Sequence, residues 1–504
     1  MNALVGVDIG TQGTKAAIFD AASGRCLAHA FEDSRLHRPR PGVVEENPRR
    51  QFDSACRTIR QCVKQSRVDP KHVAAIGIAG QMAGVIGVGK DGRNATPYDS
   101  WLDTRCAPYI KVMERDAGDE IVGKTGCPAS FNHGPKKLWW KHERPAVYKR
   151  IAAFVQPAGF VAMQLCGLDA AGAYIDDTYL HFTGFADNLA RQWDESLCRR
   201  FGVDRAKLPR IVAPRDIVGA LTRKSAAACG LRIDTPVVAG CGDTAASFLS
   251  CGATREGICI DVAGTASVFA ATTSAFKPDH AERVLGVGRS AVPGLWHPYA
   301  YINGGGMNLE WFRKEVLNHG RRGKNELSFE ALNKLAAAVA PRDDNPMFIP
   351  HLGGRVSPPQ PQLRGAWVGL SWDAGVGALY RAVLEAVVLE YAIYRRVLLS
   401  LHGKLKLREL RITGGGERSA LWNQIKADAL QTSVTRIADS HGAPMGAAMI
   451  AGVGVGAIRA LPDAASKWIT LGQTVRPNRK RAVHYDRRRA VYERLLKVLD
   501  GILT

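Results

Sequence analysis

No CxxC pair occurs in the 504 residues, and the eleven cysteines, an odd number, are scattered between Cys26 and Cys259. That excludes a zinc ribbon, a dithiol redox centre and a disulfide-stapled scaffold, and the thiols read as small core residues of a reducing cytosol. No apolar run approaches the roughly 18–20 residues of a membrane-crossing helix. The first ten residues carry Asp8 and two glycines where a secretory leader would need a basic region and a long apolar stretch. A cytoplasmic protein with no membrane partner is expected. No low-complexity segment and no GxxxxGK[ST] phosphate loop is present. Acidic residues are scarce: 47 Asp and Glu stand against 68 Lys and Arg, a formal charge of +21. A surplus of this sign favours nucleic acid, an anionic membrane or phosphorylated small molecules as partners. No helix-turn-helix or zinc-finger pattern supports the first of these.

With 46% hydrophobic and 23% charged residues, the chain can bury the cores of two or three domains. Ala3 to Asp8, the turn from Ile9 to Thr14 and Lys15 to Phe19 read as strand, glycine turn and returning strand. The same Gly-Thr turn recurs at Gly264 and Thr265 between Ile258–Ala263 and Ser267–Ala270, 254 residues later. The repeat favours two similar domains, and the main boundary is placed near residue 240, giving units 1–240 and 241–504. Ala74 to Ala79 and Thr235 to Ala239 are short apolar runs ending in glycine, as buried strands do when they reach a cleft. Tyr380, Val383, Leu384, Val387, Val388 and Tyr391 keep the spacing of one helical face, with Arg381, Glu385 and Arg395 on the other. The Pro-rich 357–361 stretch reads as an extended surface loop.

Four glycine turns and two carboxylates carry the chemistry. In the first hairpin Gly10, Thr11, Gly13, Thr14 and Lys15 offer backbone N–H groups, hydroxyls and an ammonium to a phosphate chain, and Asp8 could hold magnesium. By spacing alone the segment is equally an ordinary glycine hairpin. Asp243, after the strand ending in Gly240-Cys241-Gly242, is placed to take a proton from a hydroxyl or, alternatively, to cap a helix. Gly414-Gly415-Gly416 and Asn303-Gly304-Gly305-Gly306 can lie flat against a nucleotide or be simple turns. Gln81 and Met82, with Trp101, Asp103 and Arg105, offer the amide, carboxylate and indole surface that suits a polyhydroxylated ligand.

Taken in order, these segments resemble the FGGY family of carbohydrate kinases, most closely its xylulokinase-like members. The resemblance runs from Gly6-Val7-Asp8-Ile9-Gly10-Thr11 through Gly80-Gln81-Met82, Trp101-Leu102-Asp103, Pro135-Lys136-Lys137 and Gly242-Asp243. It continues through Gly264-Thr265, Gly365-Ala366-Trp367 with Arg381 to Glu385, and Gly414 to Gly416. It implies an α/β fold of two actin-like (ribonuclease H-like) domains with ATP and a sugar in the cleft between them. It implies Asp243 as general base, and Asp8 as the residue organising Mg²⁺ and the γ-phosphate. Gln81, Met82, Trp101, Asp103 and Thr244 would bind the sugar. Thr11, Gly13, Thr14, Lys15, Gly264, Thr265, Gly306, Gly414, Gly415, Gly416 and Ser419 would bind the nucleotide. Relatives commonly dimerise, so a homodimer is admitted.

The departures concern the substrate. Xylulokinases usually have histidine at the position of Ala83 and asparagine at that of Thr244, so D-xylulose, another ketose, a polyol and a signalling molecule all stay open. Glu310 stands where a glutamine is often found, and Lys137 and Ala378 are expected on helices away from the chemistry. Of the charge, +7 lies between Arg476 and Lys497, in a helix expected to dock Val483, Tyr485, Val491, Tyr492 and Leu495 and to leave its arginines in solvent.

Overall fold

The computed structural model describes residues 2–320 and 326–503. Its first sheet is built from β1 (Ala3–Ile9), β2 (Gly13–Asp20), β3 (Cys26–Asp33), β4 (Val73–Gly80), β5 (Ile217–Ala220) and β6 (Pro236–Gly242), in the order β5-β6-β4-β1-β2-β3. The second comprises β7 (Ile258–Ala263), β8 (Ser267–Ala271), β9 (Gly286–Arg289), β10 (Trp296–Ile302), β11 (Glu409–Thr413), β12 (Val434–Ala438) and β13 (Thr470–Val475), in the order β9-β10-β8-β7-β11-β12-β13. Strand directions repeat as well. β1 is antiparallel to β2 and parallel to β4, and β4 is parallel to β6. In the same way β7 is antiparallel to β8 and parallel to β11, and β11 is parallel to β12. The Gly-Thr repeat in the sequence is therefore the trace of a duplicated sheet, with β9 added at one edge.

The first sheet is covered on both faces, which is why β1 is buried at every position and reads as a continuous apolar run. On one face lies α1 (Pro48–Ser66), N-capped by the Asn47 side chain, whose Phe52, Ala55, Cys56 and Ile59 pack on β2 and β3. The chain also forms a lobe holding a four-stranded sheet and α2 (His133–Glu143) before α3 (Pro157–Cys166) returns to α1. Further along the chain lie α4 (Asp243–Ser250), α5 (Gly305–Trp311), α6 (Val376–Leu401), α7 (Ala420–Leu430) and α8 (Ala443–Gly454). They are followed by α9 (Leu461–Trp468) and α10 (Ala482–Leu503). α8 and α9 come from beyond β12 yet cover the other face of the first sheet. Met445, Ala448, Met449 and Trp468 share a core with Leu4, Phe19, Ala75 and Val238. Gly6 and Gly77 make this possible, since a Cβ there would lie 1.8 Å from Pro444 O and 2.1 Å from Ala447 O.

On α6 the polar residues are enclosed: Arg381 and Glu385 are buried, bonded Nε to Oε1 at 2.8 Å, and joined from α10 by Arg488, 3.2 Å from Glu385 Oε2. Two expectations are met only in part. The face that α10 docks holds the expected Tyr485 and Tyr492 with Leu495 half-buried, together with Arg488 and Leu496, while Val483 and Val491 are exposed. The Pro-rich stretch lies at the surface as expected, with Pro359 and Pro361 exposed, but it pairs as a two-residue ladder, Arg355 and Val356 against Pro359 and Gln360, with Ser357 buried. Among the described residues no helix is long and apolar enough to cross a membrane, and the eleven cysteines are free thiols.

Candidate active site

Three parallel strands of the first sheet stop at one edge. Ile9 lies opposite Gly80, and Gly80 opposite Gly242, so Asp8, Gln81 and Asp243 are delivered to the same place from three distant parts of the chain. Asp8 faces Lys15 across the hairpin, which Gly10 closes by donating its N–H to Gly13 O at 3.1 Å. The Asp8 carboxyl is buried, and its Oδ1 has no hydrogen-bond partner. Asp243 is the first residue of α4; Gly242 holds the N-cap position, and no side chain caps the helix. The carboxylate is thus not the cap, and it accepts instead from Thr244 Oγ1 at 3.1 Å.

Burial and the Asp243 charge push the Asp8 carboxyl up to about 7, against a smaller downward pull from Lys15. Burial likewise lifts Asp243 to about 6, opposed by hydrogen bonds from Thr244 and by Lys15. Two enclosed carboxylates resist simultaneous ionisation, and a divalent cation between phosphate oxygens and Asp8 would relieve them. The donor set fits magnesium in its usual setting of one or two carboxylates completed by phosphate and water. Among the described residues no group of three acidic, His or Cys side chains forms an all-protein cage.

The second sheet presents the matching edge. Gly306 N–H donates to Gly264 O at 3.0 Å and Met307 N–H to Thr265 O at 3.1 Å, tying the start of α5 to the second hairpin. A Cβ at Gly306 would stand 2.4 Å from Gly264 O. Gly414, next to Ala263 through the Val262–Thr413 register, has φ +96°, and its Cβ would be 2.6 Å from Ala263 O. Gly415 has open space beside it. Gly264, Thr265, Gly306 and Gly414–Gly416 therefore form one corner made of backbone.

Other predicted residues take structural duties. Gly13 is required by β3, because a Cβ would come within 2.3 Å of Glu32 O, and Thr14 is buried. Ser419 caps α7, accepting from Trp422 N at 3.2 Å and donating to Asn333 Oδ1 at 2.9 Å. Asp103, expected on the substrate, has both oxygens bonded inside the lobe: Oδ2 to Val44 N at 2.8 Å, Oδ1 to Arg105 N at 3.1 Å, and both to Arg105 Nε at 3.0 Å. It braces Arg105, which also bonds Asp99 and Glu45. Glu310 pairs with Arg313 and Lys314.

Met82 lies over Gly242, where a Cβ would meet its sulfur at 1.8 Å, and its carbonyl is 2.6 Å from His133 Nε2. Trp101 Nε1 donates to Thr11 Oγ1 at 2.8 Å, and Thr11 donates to Gln81 Oε1 at 3.1 Å. Tyr98, which donates to Gln81, and His133 were not singled out from the sequence; Lys136, buried and donating to the carbonyls of Ser100 and Asp103 at 2.9 Å, was named only within the Pro135-Lys136-Lys137 segment, without a role. Turn residues flank them, Pro97 before Tyr98 and Gly134-Pro135 between His133 and Lys136, but their spacing matches no ligand-binding pattern.

A duplicated actin-like fold that brings two buried carboxylates together on one sheet and builds a corner of glycine backbone on the other fits the sugar-kinase class of phosphotransferase. Residues 3–250 match the N-terminal domain of the FGGY family of carbohydrate kinases and residues 261–455 its C-terminal domain, and the chain belongs to this family. It is similar to the xylulose kinase of Escherichia coli K12, 27% identical over 98% of this chain and 99% of that one. It is also similar to the gluconokinase of Bacillus subtilis strain 168, 26% identical over 99% and 97%. The crystal structure of xylulose kinase from Rhodospirillum rubrum superposes with a TM-score of 0.90 at 26% identity, covering all of both chains.

Proposed function

We propose that the protein transfers the γ-phosphoryl group of ATP to a hydroxyl of a ketose such as D-xylulose, with Asp243 as the general base. Residues 1–240 carry the sugar side and the first phosphate hairpin, and residues 241–504 the nucleotide side. The observation that supports the reading is the meeting of Asp8 and Asp243 at the shared end of β1, β4 and β6, with an oxygen of Asp8 unpartnered. The acceptor oxygen bonds to the γ-phosphorus, the bond to the bridging oxygen of ADP breaks, and the hydroxyl proton passes to the Asp243 carboxylate. Asp8 would hold magnesium with ATP, and the ion would neutralise charge on the phosphate oxygens. Lys15 adds positive charge beside both carboxylates, and the backbone N–H groups of the glycine corner seat the phosphates and the adenosine. Alignment of hydroxyl and phosphorus supplies most of the rate, and closure of the cleft keeps water from competing as acceptor.

Ala83 and Thr244 depart from the residues usual in xylulokinases, so another ketose, a polyol or a signalling molecule is the alternative acceptor. ADP release over pentuloses, hexuloses, pentitols, aldonates and glycerol decides among them. Stimulated turnover with one ketose is the expected result. No stimulation by any acceptor would remove the reading.

A further inference from the structure

Gln81 stands at the end of β4 with its amide held from one side only. Its Oε1 receives two hydrogen bonds, from Thr11 Oγ1 at 3.1 Å and from Tyr98 OH at 3.3 Å, while Nε2 is buried with no partner. The direction of these bonds is favoured from outside. An indole N–H can only donate. Trp101 Nε1 donates to Thr11 Oγ1 at 2.8 Å, so Thr11 accepts there and carries its own hydrogen on to Gln81. The Tyr98 phenol, whose ionisation burial pushes well up, stays protonated and donates as well. A turned-over amide would aim N–H₂ at them; each hydroxyl can accept such a bond, but its own hydrogen would then lose Gln81 Oε1, its acceptor among the described residues.

We propose that Trp101, Thr11 and Tyr98 form a polarity lock on Gln81, so that the site offers the sugar an amide N–H₂ and selects a carbonyl-bearing acceptor, a ketose, over the matching alditol. A ketone oxygen only accepts, and it meets a donor that otherwise lies buried and unsatisfied. A hydroxyl can accept there too, but it must find a partner for its own hydrogen. Once the lock is removed the amide can turn, presenting a C=O that welcomes a hydroxyl and repels a ketone. Thr11, Trp101 and Tyr98 are positioning residues in this account, acting through Gln81. The inference rests on the kinase reading above, and it moves Thr11 from the nucleotide phosphates to the sugar.

The test compares D-xylulose with xylitol and D-ribulose with ribitol in the full-length protein, using Thr11→Val, Thr11→Ser and Tyr98→Phe. The parent is expected to favour the ketose of each pair. Thr11→Val and Tyr98→Phe should each lower ketose kcat/KM by about tenfold, the effect of a lost buried hydrogen bond. The loss should appear mainly in the sugar KM and shrink the ketose-to-alditol ratio, with the ATP KM unchanged. Thr11→Ser should restore the parent ratio, which a merely structural role for the threonine methyl would not. A raised ATP KM with an unchanged ratio, or a parent that prefers alditols, overturns the lock while leaving the kinase reading standing. Absence of turnover with every acceptor overturns both.

Discussion

Lys137 offers a prediction that needs no knowledge of the substrate. It sits on α2, fully buried, with no hydrogen-bond partner for Nζ; the nearest compensation is the face of Trp193, 5.3 Å from the ring centre. Burial drives its ammonium from 10.5 down to about 7. A lysine whose folded pKa is depressed binds fewer protons in the fold than in the unfolded chain between those two values, so stability rises with pH across that window. Below about pH 7 both states are charged and the whole penalty is present; above pH 10.5 both are neutral and it is gone. At about 1.4 kcal/mol per pH unit, the full span is on the order of 5 kcal/mol. Lys137→Met keeps the unbranched shape and removes the charge. The variant should be markedly more stable than the parent at pH 6.5, and the gap should narrow steadily toward pH 9.5. Urea unfolding at several pH values reads this directly. A variant no more stable at pH 6.5, or parallel stability profiles for the two proteins, would refute the reasoning.

Two further outcomes follow from the second half of the chain. Lys426 and Asp261 are an ion pair with no solvent exposure, and Asp261 also accepts from Tyr391 OH at 2.7 Å. Lys426→Met should therefore destabilise by about 3–5 kcal/mol through the stranded carboxylate, with Lys426→Met/Asp261→Asn recovering part of the loss in denaturant titrations. Gly306→Ala forces a methyl against Gly264 O, displacing the second hairpin. The expected readout in steady-state kinetics is a rise of about tenfold or more in the ATP KM with the sugar KM unchanged.

Glycine turns and apolar strands were the legible part of this fold. Gly10-Thr11 and Gly264-Thr265 announced a duplication because the turn chemistry is local, and the sheets confirm it strand by strand. What stayed hidden depends on pairings made at a distance. Arg381 and Glu385, four residues apart on α6, look the same in sequence whether solvated or enclosed. It is Arg488 and Tyr485 from α10 that make burial tolerable by completing their bonds. The return of α8 to the first sheet was unreadable for the same reason, since Gly6 and Gly77 reveal their purpose only beside Pro444 and Ala447. At the site, the positions of Asp8, Gln81 and Asp243 followed from strand ends. The duties of Asp103 and Thr11 did not, because a carboxylate or hydroxyl in a motif can be consumed by neighbours such as Arg105 and Trp101. Part of the +21 charge is arginine that holds the chain together, as Arg488 does on the carbonyls of Arg342, Asn345 and Pro346, and sequence does not separate it from the solvated part.

The account turns on Asp243 as the group that takes the acceptor proton. Single-turnover phosphoryl transfer from ATP to the preferred sugar, measured for the parent and for Asp243→Asn, tests it most directly. The amide keeps the shape and removes the base, so kcat should fall by about 10²–10⁴-fold while binding of both substrates changes little. A variant that transfers phosphate at the parental rate would contradict the central claim.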